Sequence, residues 1–453
     1  MFRRSRSHVG RSARPLAGLV VWLTLVVHSS LRAQEPDPRQ ATKPRGLTAA
    51  QRSKNVESFE VVWKTIRDKH FDPKLGGLDW QAVHDALRPK VEGATTMKDA
   101  RAVMSEAIER LHQTHFGIIP SDLYEDLENP KEGPGEVGLD LRLIDGRAVV
   151  TAVPEGRPAH RAGVKTGWVV DRIDRKPVSQ LLKTAEAAYA KTGLVSAHKT
   201  RAVVSRLHGP VGSKIAVDFL DDKDRRVHFD LTAGEPAGVP ATFGNLPTLY
   251  VRFTAKRVDG TVGYVALNVF FDLVNVLKKF AEAIEDSRDA DGLIIDLRGN
   301  PGGLGAMSFA MGGWLVSEPG LKLGTMSTRD SSVNFMLLPR RRPFKGPVAV
   351  LVDELSMSTS EILAGGLKDL KRARVFGVRT PGAALPSTIE VLPNGDRFQY
   401  AFANYVSAGG KPLEGSGVVP DVETPLTRAL LLEGRDPAVE AAVRWIRLSK
   451  KNP

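Results

Sequence analysis

Residues 292–303 read Gly-Leu-Ile-Ile-Asp-Leu-Arg-Gly-Asn-Pro-Gly-Gly. Residues 292–297 form a nearly continuous apolar run, which predicts a strand buried on both faces of a sheet. Residues 298–303 then make a glycine-rich turn, with a helix expected beyond it. Such a turn presents backbone N–H groups at a helix N-terminus, the material of an anion or oxyanion site. A plain strand-to-helix turn would use the same residues. A second buried strand, 348–352, runs into Asp353-Glu354-Leu355-Ser356-Met357-Ser358-Thr359-Ser360-Glu361-Ile362. A serine at such a junction exposes its Oγ, and the amide after it can help bind an oxyanion. Helix capping by Ser or Thr with Glu nearby is the competing use of this segment. Ser360 is placed for it, but three serines in five residues exceed what capping needs. A third segment, Pro412-Leu413-Glu414-Gly415-Ser416-Gly417-Val418-Val419-Pro420-Asp421, is on its own a loop with an acidic residue and no assigned role.

Around these segments the pattern is α/β. Residues 262–269 and 375–377 read as strands, and 273–286 and 360–370 as helices. Residues 387–405 alternate like strands across a Pro393-Asn394-Gly395-Asp396 turn. Alternation of this kind predicts a layered α/β core over 240–432, with a C-terminal helix in 433–453. Upstream, 135–233 alternates as a β domain interrupted by a helical insert at about 181–206. Before it lies an acidic, Pro/Gly-rich linker, 121–134. Phe59, Val62, Trp63 and Ile66 recur at helical spacing, and helices are expected over 80–91 and 97–111. Residues 55–120 therefore read as a helical unit ending at Gln113-Thr114-His115-Phe116-Gly117. The fold class is mixed α/β and multidomain, as a chain of 453 residues requires.

The chain has no cysteine, which excludes disulfides, thiolate metal sites, a Cys nucleophile and a lipobox anchor. Its formal charge of +12 owes half its value to Arg3, Arg4, Arg6, Arg11, Arg14 and Arg32. The remainder is spread along the chain, so no basic stripe for nucleic acid is expected. His and acidic residues show no metal-ligand spacing and there is no Walker motif, so no metal or cofactor is expected. The N-terminal arginines precede an apolar run over 16–27, then small and polar residues up to Ala33-Gln34. This is the layout of a secretory signal peptide over 1–33, followed by a flexible leader over 34–54. The run is short for a bilayer span, and no other segment could cross one. Leu31 occupies a position where signal peptidases prefer a small residue; without cleavage the run would serve as an anchor. The expected location is exported, periplasmic or secreted.

Taken in order, the three segments resemble the catalytic domain of C-terminal processing (tail-specific) serine peptidases and their tricorn-like relatives. Residues 135–232 resemble the family's PDZ domain, and the helical unit resembles its N-terminal part. The resemblance covers nearly all of residues 56–432. It implies an exported serine endopeptidase with Ser358 as nucleophile. The oxyanion hole would use the amide of Thr359 with one from Gly302 or Gly303. The PDZ-like domain would hold a substrate's C-terminal carboxylate on the amides around Gly138, Leu139, Asp140 and Leu141. The partners implied are proteins or peptides with accessible, apolar C-termini.

One departure matters. The best-known members pair the serine with a lysine, and that position is Ala383 here; the glutamine that follows it in those members falls on Ser387. Tricorn-like relatives use a histidine instead, with a hydroxyl residue before it and a distal glutamate. The matching residues are His115 as general base, Thr114 as its positioner and Glu414 as hydrogen-bonding support. His112 is the rival histidine, outside the motif. The other reading of the missing lysine is an inactive PDZ-type peptide-binding adaptor on a protease fold.

Overall fold

The computed structural model describes residues 46–121, 134–189, 194–246 and 248–451. The signal-peptide expectation, most of the leader and most of the 121–134 linker fall outside these residues. The first helix, Ala49–Lys69, begins before the sequence pattern turns helical, because Thr48 and Gln51 close a capping box on its first turn. Helices Trp80–Glu92 and Met97–Glu109 follow, capped by Asp79 and by a Thr96–Asp99 box. Their apolar faces bury Phe59, Val62, Ile66, Leu87 and Met104 in a core that also takes in Leu392, Phe398 and Tyr400. The helical unit thus shares its core with a hairpin that lies far along the chain.

The strand Gly117–Ile119 completes that junction. It pairs antiparallel with Arg397–Ala401, Gly117 opposite Gln399, and extends the Ser387–Val391 hairpin to three strands. The backbone register fixes where the preceding residues, Thr114 and His115, must lie.

An antiparallel sheet follows, in the order Asp140–Ile144, Arg147–Ala152, Val169–Ile173, Lys214–Leu220, Arg226–Thr232. Ile215, Val217 and Phe219 point to its core at the period of two that strands impose. Asp140–Ile144 is an edge strand of this sheet. The insert forms two helices, Val178–Tyr189 and Val195–Val204.

The central sheet runs Phe253–Val258, Val262–Leu267, Leu293–Asp296, Val348–Val352, Arg374–Gly377, Val422–Glu423. After the first antiparallel pair, its neighbours are parallel. Leu293, Ile295, Val348 and Val350 face helices Leu273–Asp286, Gly305–Gly312 and Thr359–Asp369. Ile294, Ala349, Leu351 and Phe376 face Ala442 and Ile446 of the C-terminal helix Pro437–Lys451. Helices on both faces are why these strands read as unbroken apolar runs rather than alternating ones. The carboxyl ends of the parallel strands are where open α/β sheets bind ligands. Both glycine- and serine-rich turns leave the sheet there.

Candidate active site

The serine turn uses its three hydroxyls differently. Ser356 Oγ accepts from Asp353 N at 2.9 Å and lies 2.8 Å from Leu297 O. Ser360 Oγ donates to Asn300 O at 2.9 Å. These two serines tie the turn to the neighbouring strand end. Ser358, not Ser360, is the residue before helix Thr359–Asp369, and Glu361 Oε2 accepts from its N–H at 3.1 Å. Ser358 is fully buried and its Oγ has no partner. Its backbone, at φ 56° and ψ −117°, lies where non-glycine residues are strained. The outer bonds of the turn hold it there.

The glycine turn packs directly on this serine. Gly302 has φ +101°, and a Cβ there would stand 2.6 Å from Ser358 Cβ. A Cβ on Gly303 would collide with Phe270 O. Both positions therefore exclude a side chain. The Gly302 amide is already taken, donating to Asn300 Oδ1 at 2.9 Å. The amides of Gly303 and Thr359 carry no such bond among the described residues, while Thr359 Oγ1 donates to Gly303 O at 2.9 Å and joins the two turns.

His115 sits between helix Met97–Glu109 and strand Gly117–Ile119, buried, at φ +62°. Its Nδ1 is 2.7 Å from Thr114 Oγ1. Thr114 Oγ1 donates its one proton to Glu414 Oε2 at 2.9 Å. It must therefore accept from His115, which assigns the tautomer with Nδ1–H and leaves Nε2 a bare acceptor. Nε2 is buried and unpartnered. Burial pulls the imidazole down to about 3, so the ring is neutral at ordinary pH. Burial likewise raises the Glu414 carboxyl, against the donors that surround it. His112, by contrast, is exposed.

Two backbone bonds connect this group to the serine. Ala384 N donates to Glu414 Oε2 at 3.0 Å, and Ser358 N donates to Ala383 O at 2.7 Å. The turn 380–384 thus touches Glu414 with one residue and Ser358 with the next. Ala383, at the position of the lysine expected from the resemblance, is fully buried against Leu194, Ala197 and Met357.

Glu361 was not singled out in the sequence beyond its capping role, and it organises this turn. It accepts from Thr380 Oγ1 at 2.5 Å, Gly382 N at 2.8 Å, Ala383 N at 2.9 Å and Ser358 N. Burial still pushes its carboxyl up to about 7. Its position three residues after a candidate N-cap serine was the signal for it.

Of the residues expected to bind a chain end, Gly138 has φ +73° and a Cβ there would strike Arg157. Leu139 and Asp140 line a cavity, whereas the Leu141 side chain is in the sheet's core. Among the described residues no cluster of His, Asp and Glu could hold a metal ion. No described helix is long and apolar enough to cross a membrane.

Residues 261–424 match peptidase family S41, and residues 52–109 match the tricorn protease C1 domain. With the fold, these matches define a serine-type peptidase. Residues 261–424 thus carry a peptidase family S41 domain, and the relatives of the chain include proteins named carboxyl-terminal-processing proteases. Tricorn protease homolog 2 of Streptomyces coelicolor is 26% identical over 418 residues, 88% of this chain and 32% of that protein. The chain therefore spans about a third of that relative's length. The carboxy-terminal-processing protease of Bartonella bacilliformis is 26% identical over 349 residues, 73% of this chain and 72% of that protein. The solved photosystem II D1 C-terminal processing protease shares the fold, with a TM-score of 0.55 and 21% identity, covering 88% of this chain and 97% of that one.

Proposed function

We propose that this chain is an exported serine endopeptidase working through Ser358 and His115, with Thr114 and Glu414 in support. The observation that carries the reading is the Glu414–Thr114–His115 chain, which leaves a bare Nε2 on a neutral ring. The protein also holds a buried serine hydroxyl with no partner on a strained strand-to-helix turn.

In this mechanism His115 Nε2 takes the Oγ proton as Ser358 Oγ attacks the scissile carbonyl carbon. The C=O electron pair moves to oxygen, and the amides of Thr359 and Gly303 receive the oxyanion. Nδ1–H stays on the imidazolium, held by Thr114 Oγ1. Collapse of the tetrahedral intermediate breaks the C–N bond, and Nε2–H protonates the leaving amine. Water, deprotonated by the same nitrogen, then cleaves the acyl-serine and releases the new C-terminus. No step requires the lysine that Ala383 replaces.

The antiparallel sheet acts as a PDZ-like domain in this reading. Its edge strand, Asp140–Ile144, accepts an extended substrate end as an added strand. The amides of 138–141 hold the terminal carboxylate, and the preferred substrates are proteins with accessible C-termini. The 1–33 segment directs export.

Cleavage of casein tests the catalytic reading. The wild type is expected to cut, and Ser358→Ala and His115→Ala to lose about 10⁴-fold or more in kcat. An inert wild type that still binds C-terminal peptides would instead support the adaptor reading, which the burial of Ser358 and the alanine at 383 favour.

A further inference from the structure

A cavity of about 900 Å³ is lined by residues of the edge strand and by residues at the carboxyl ends of the central strands. Leu139, Asp140 and Arg142 line it at the edge strand, and Asp353, Glu354 and Val378 at the central strand ends, with Arg142 and Asp353 in contact at 2.7 Å. On the reading above, a substrate whose carboxylate is held at 138–141 and whose scissile bond lies at Ser358 would run along this cavity, which reaches from Gly138 to Glu354, four residues before the serine. The cavity therefore meets the residues just upstream of the substrate's C-terminus.

Its charges are mostly internally matched. Arg157 pairs with Glu136 at 2.7 Å, Arg142 with Asp353 at 2.7 Å, and Arg252 with Asp140 at 3.5 Å. Arg298 bridges Asp296 and Asp436. Arg435, the remaining cation of the lining, is taken by Glu433 and Glu440. Two lining carboxylates are left without an ion pair among the described residues: Asp145, exposed on a hairpin turn, and Glu354, half-buried beside the serine turn. Arg142, the cation whose charge bears on Glu354, is committed to Asp353 by its Nε and to Leu141 O by its Nη1. The cavity thus carries surplus negative charge inside a chain that is strongly positive overall. Burial and the adjacent Asp353 both raise the Glu354 carboxyl, so a cation brought beside it would favour its ionised form.

The geometry points to Glu354 as a specificity residue that pairs with a lysine or arginine of the substrate, in the segment between the captured C-terminus and the scissile bond. This rests on the PDZ-like capture proposed above. A cationic side chain entering the cavity replaces its water shell with the Glu354 carboxylate, and an apolar or acidic one leaves that carboxylate unpaired.

The test uses the full chain carrying Ser358→Ala, and labelled peptides that share one apolar C-terminus. A single lysine is walked through the upstream positions, with leucine and glutamate as controls, and Kd is read by fluorescence anisotropy. One register is expected to bind about tenfold tighter with lysine than with leucine. Glu354→Gln should erase that preference, and Glu354→Lys should transfer it to the glutamate peptide. In the active enzyme the same lysine should lower KM and leave kcat unchanged. A flat lysine walk, or a preference that survives Glu354→Gln, overturns the assignment while tail capture stands. Failure to bind any of the peptides overturns both.

Discussion

Glu414 takes both hydrogen bonds that Thr114 can donate, N–H to Oε1 at 2.9 Å and Oγ1–H to Oε2 at 2.9 Å, across 300 residues of chain. The two-point grip fixes the threonine hydroxyl, and the hydroxyl fixes the His115 ring. Glu414 does not touch the imidazole, so its charge acts through one intervening oxygen. Thr114→Val should therefore lower kcat by roughly 10² with little change in KM, and Thr114→Ser should restore most of it. Equal kcat for Thr114→Val and wild type would remove the hydroxyl from the mechanism.

The pH dependence of stability should carry two opposed contributions. The Glu361 carboxyl, raised to about 7, holds its proton in the folded state where the unfolded chain has lost it. Its contribution is complete below the ordinary value of 4.5 and is lost as pH rises to about 7. His115, lowered to about 3, acts in the other direction: below 6.5 the unfolded chain takes up a proton that the folded one refuses, so stability falls as the solution is acidified. Each slope is limited to about 1.4 kcal/mol per pH unit. Urea midpoints from pH 4 to pH 8 should show a steeper acid loss in Glu361→Gln than in wild type, and a shallower one in His115→Gln. Parallel curves for all three proteins would contradict both assignments.

Restoring the lysine of the dyad relatives should fail. Ala383 is fully buried against Leu194, Ala197 and Met357, so a longer side chain would have to displace them. Ala383→Lys should cost at least about 2 kcal/mol through overpacking alone, and Ala383→Lys should not rescue His115→Ala. Recovered cleavage in that double variant would show that the turn can still accommodate the dyad.

Arg101 and Asp396 fasten the helical unit to the hairpin that carries its third strand. Nε and Nη2 reach the two carboxylate oxygens at 3.0 and 2.8 Å, and the Asp396 side chain is fully buried. Ser121 N donates to the same carboxylate at 2.9 Å. Asp396→Ala removes a buried carboxylate that accepts from Arg101, Ser121 N and Asn394 Nδ2, so a loss of about 3 kcal/mol is expected in denaturant melts. Because this junction sets the register of Gly117–Ile119, activity should fall as well, even at temperatures where the variant is folded.

Much of the architecture was legible in the chain itself. Apolar runs such as 293–296 and 348–352 can be satisfied only by burial on both faces, so they announce a sheet with helices on either side. The glycines at 302 and 303 mark a turn whose backbone other residues would not adopt, and the serine trio marks a second turn. What local pattern could not rank were the roles within each turn. Three serines are alike until their partners are known; only the neighbouring strand end, at Leu297 and Asn300, occupies Ser356 and Ser360 and leaves Ser358 Oγ unpaired. His112 and His115 differ by burial, which the strand pairing of 117–119 with 397–401 imposes. Glu361, Thr380 and Ala383 meet through hydrogen bonds between segments whose separation no periodicity encodes. The sequence by itself determined the buried central strands, the amphipathic helices and the glycine- and serine-rich turns between them, because those follow from local sterics and apolar spacing. The tertiary structure alone decided which polar groups were satisfied and which were left unpaired, because a buried hydrogen bond depends on what packing brings within three ångströms.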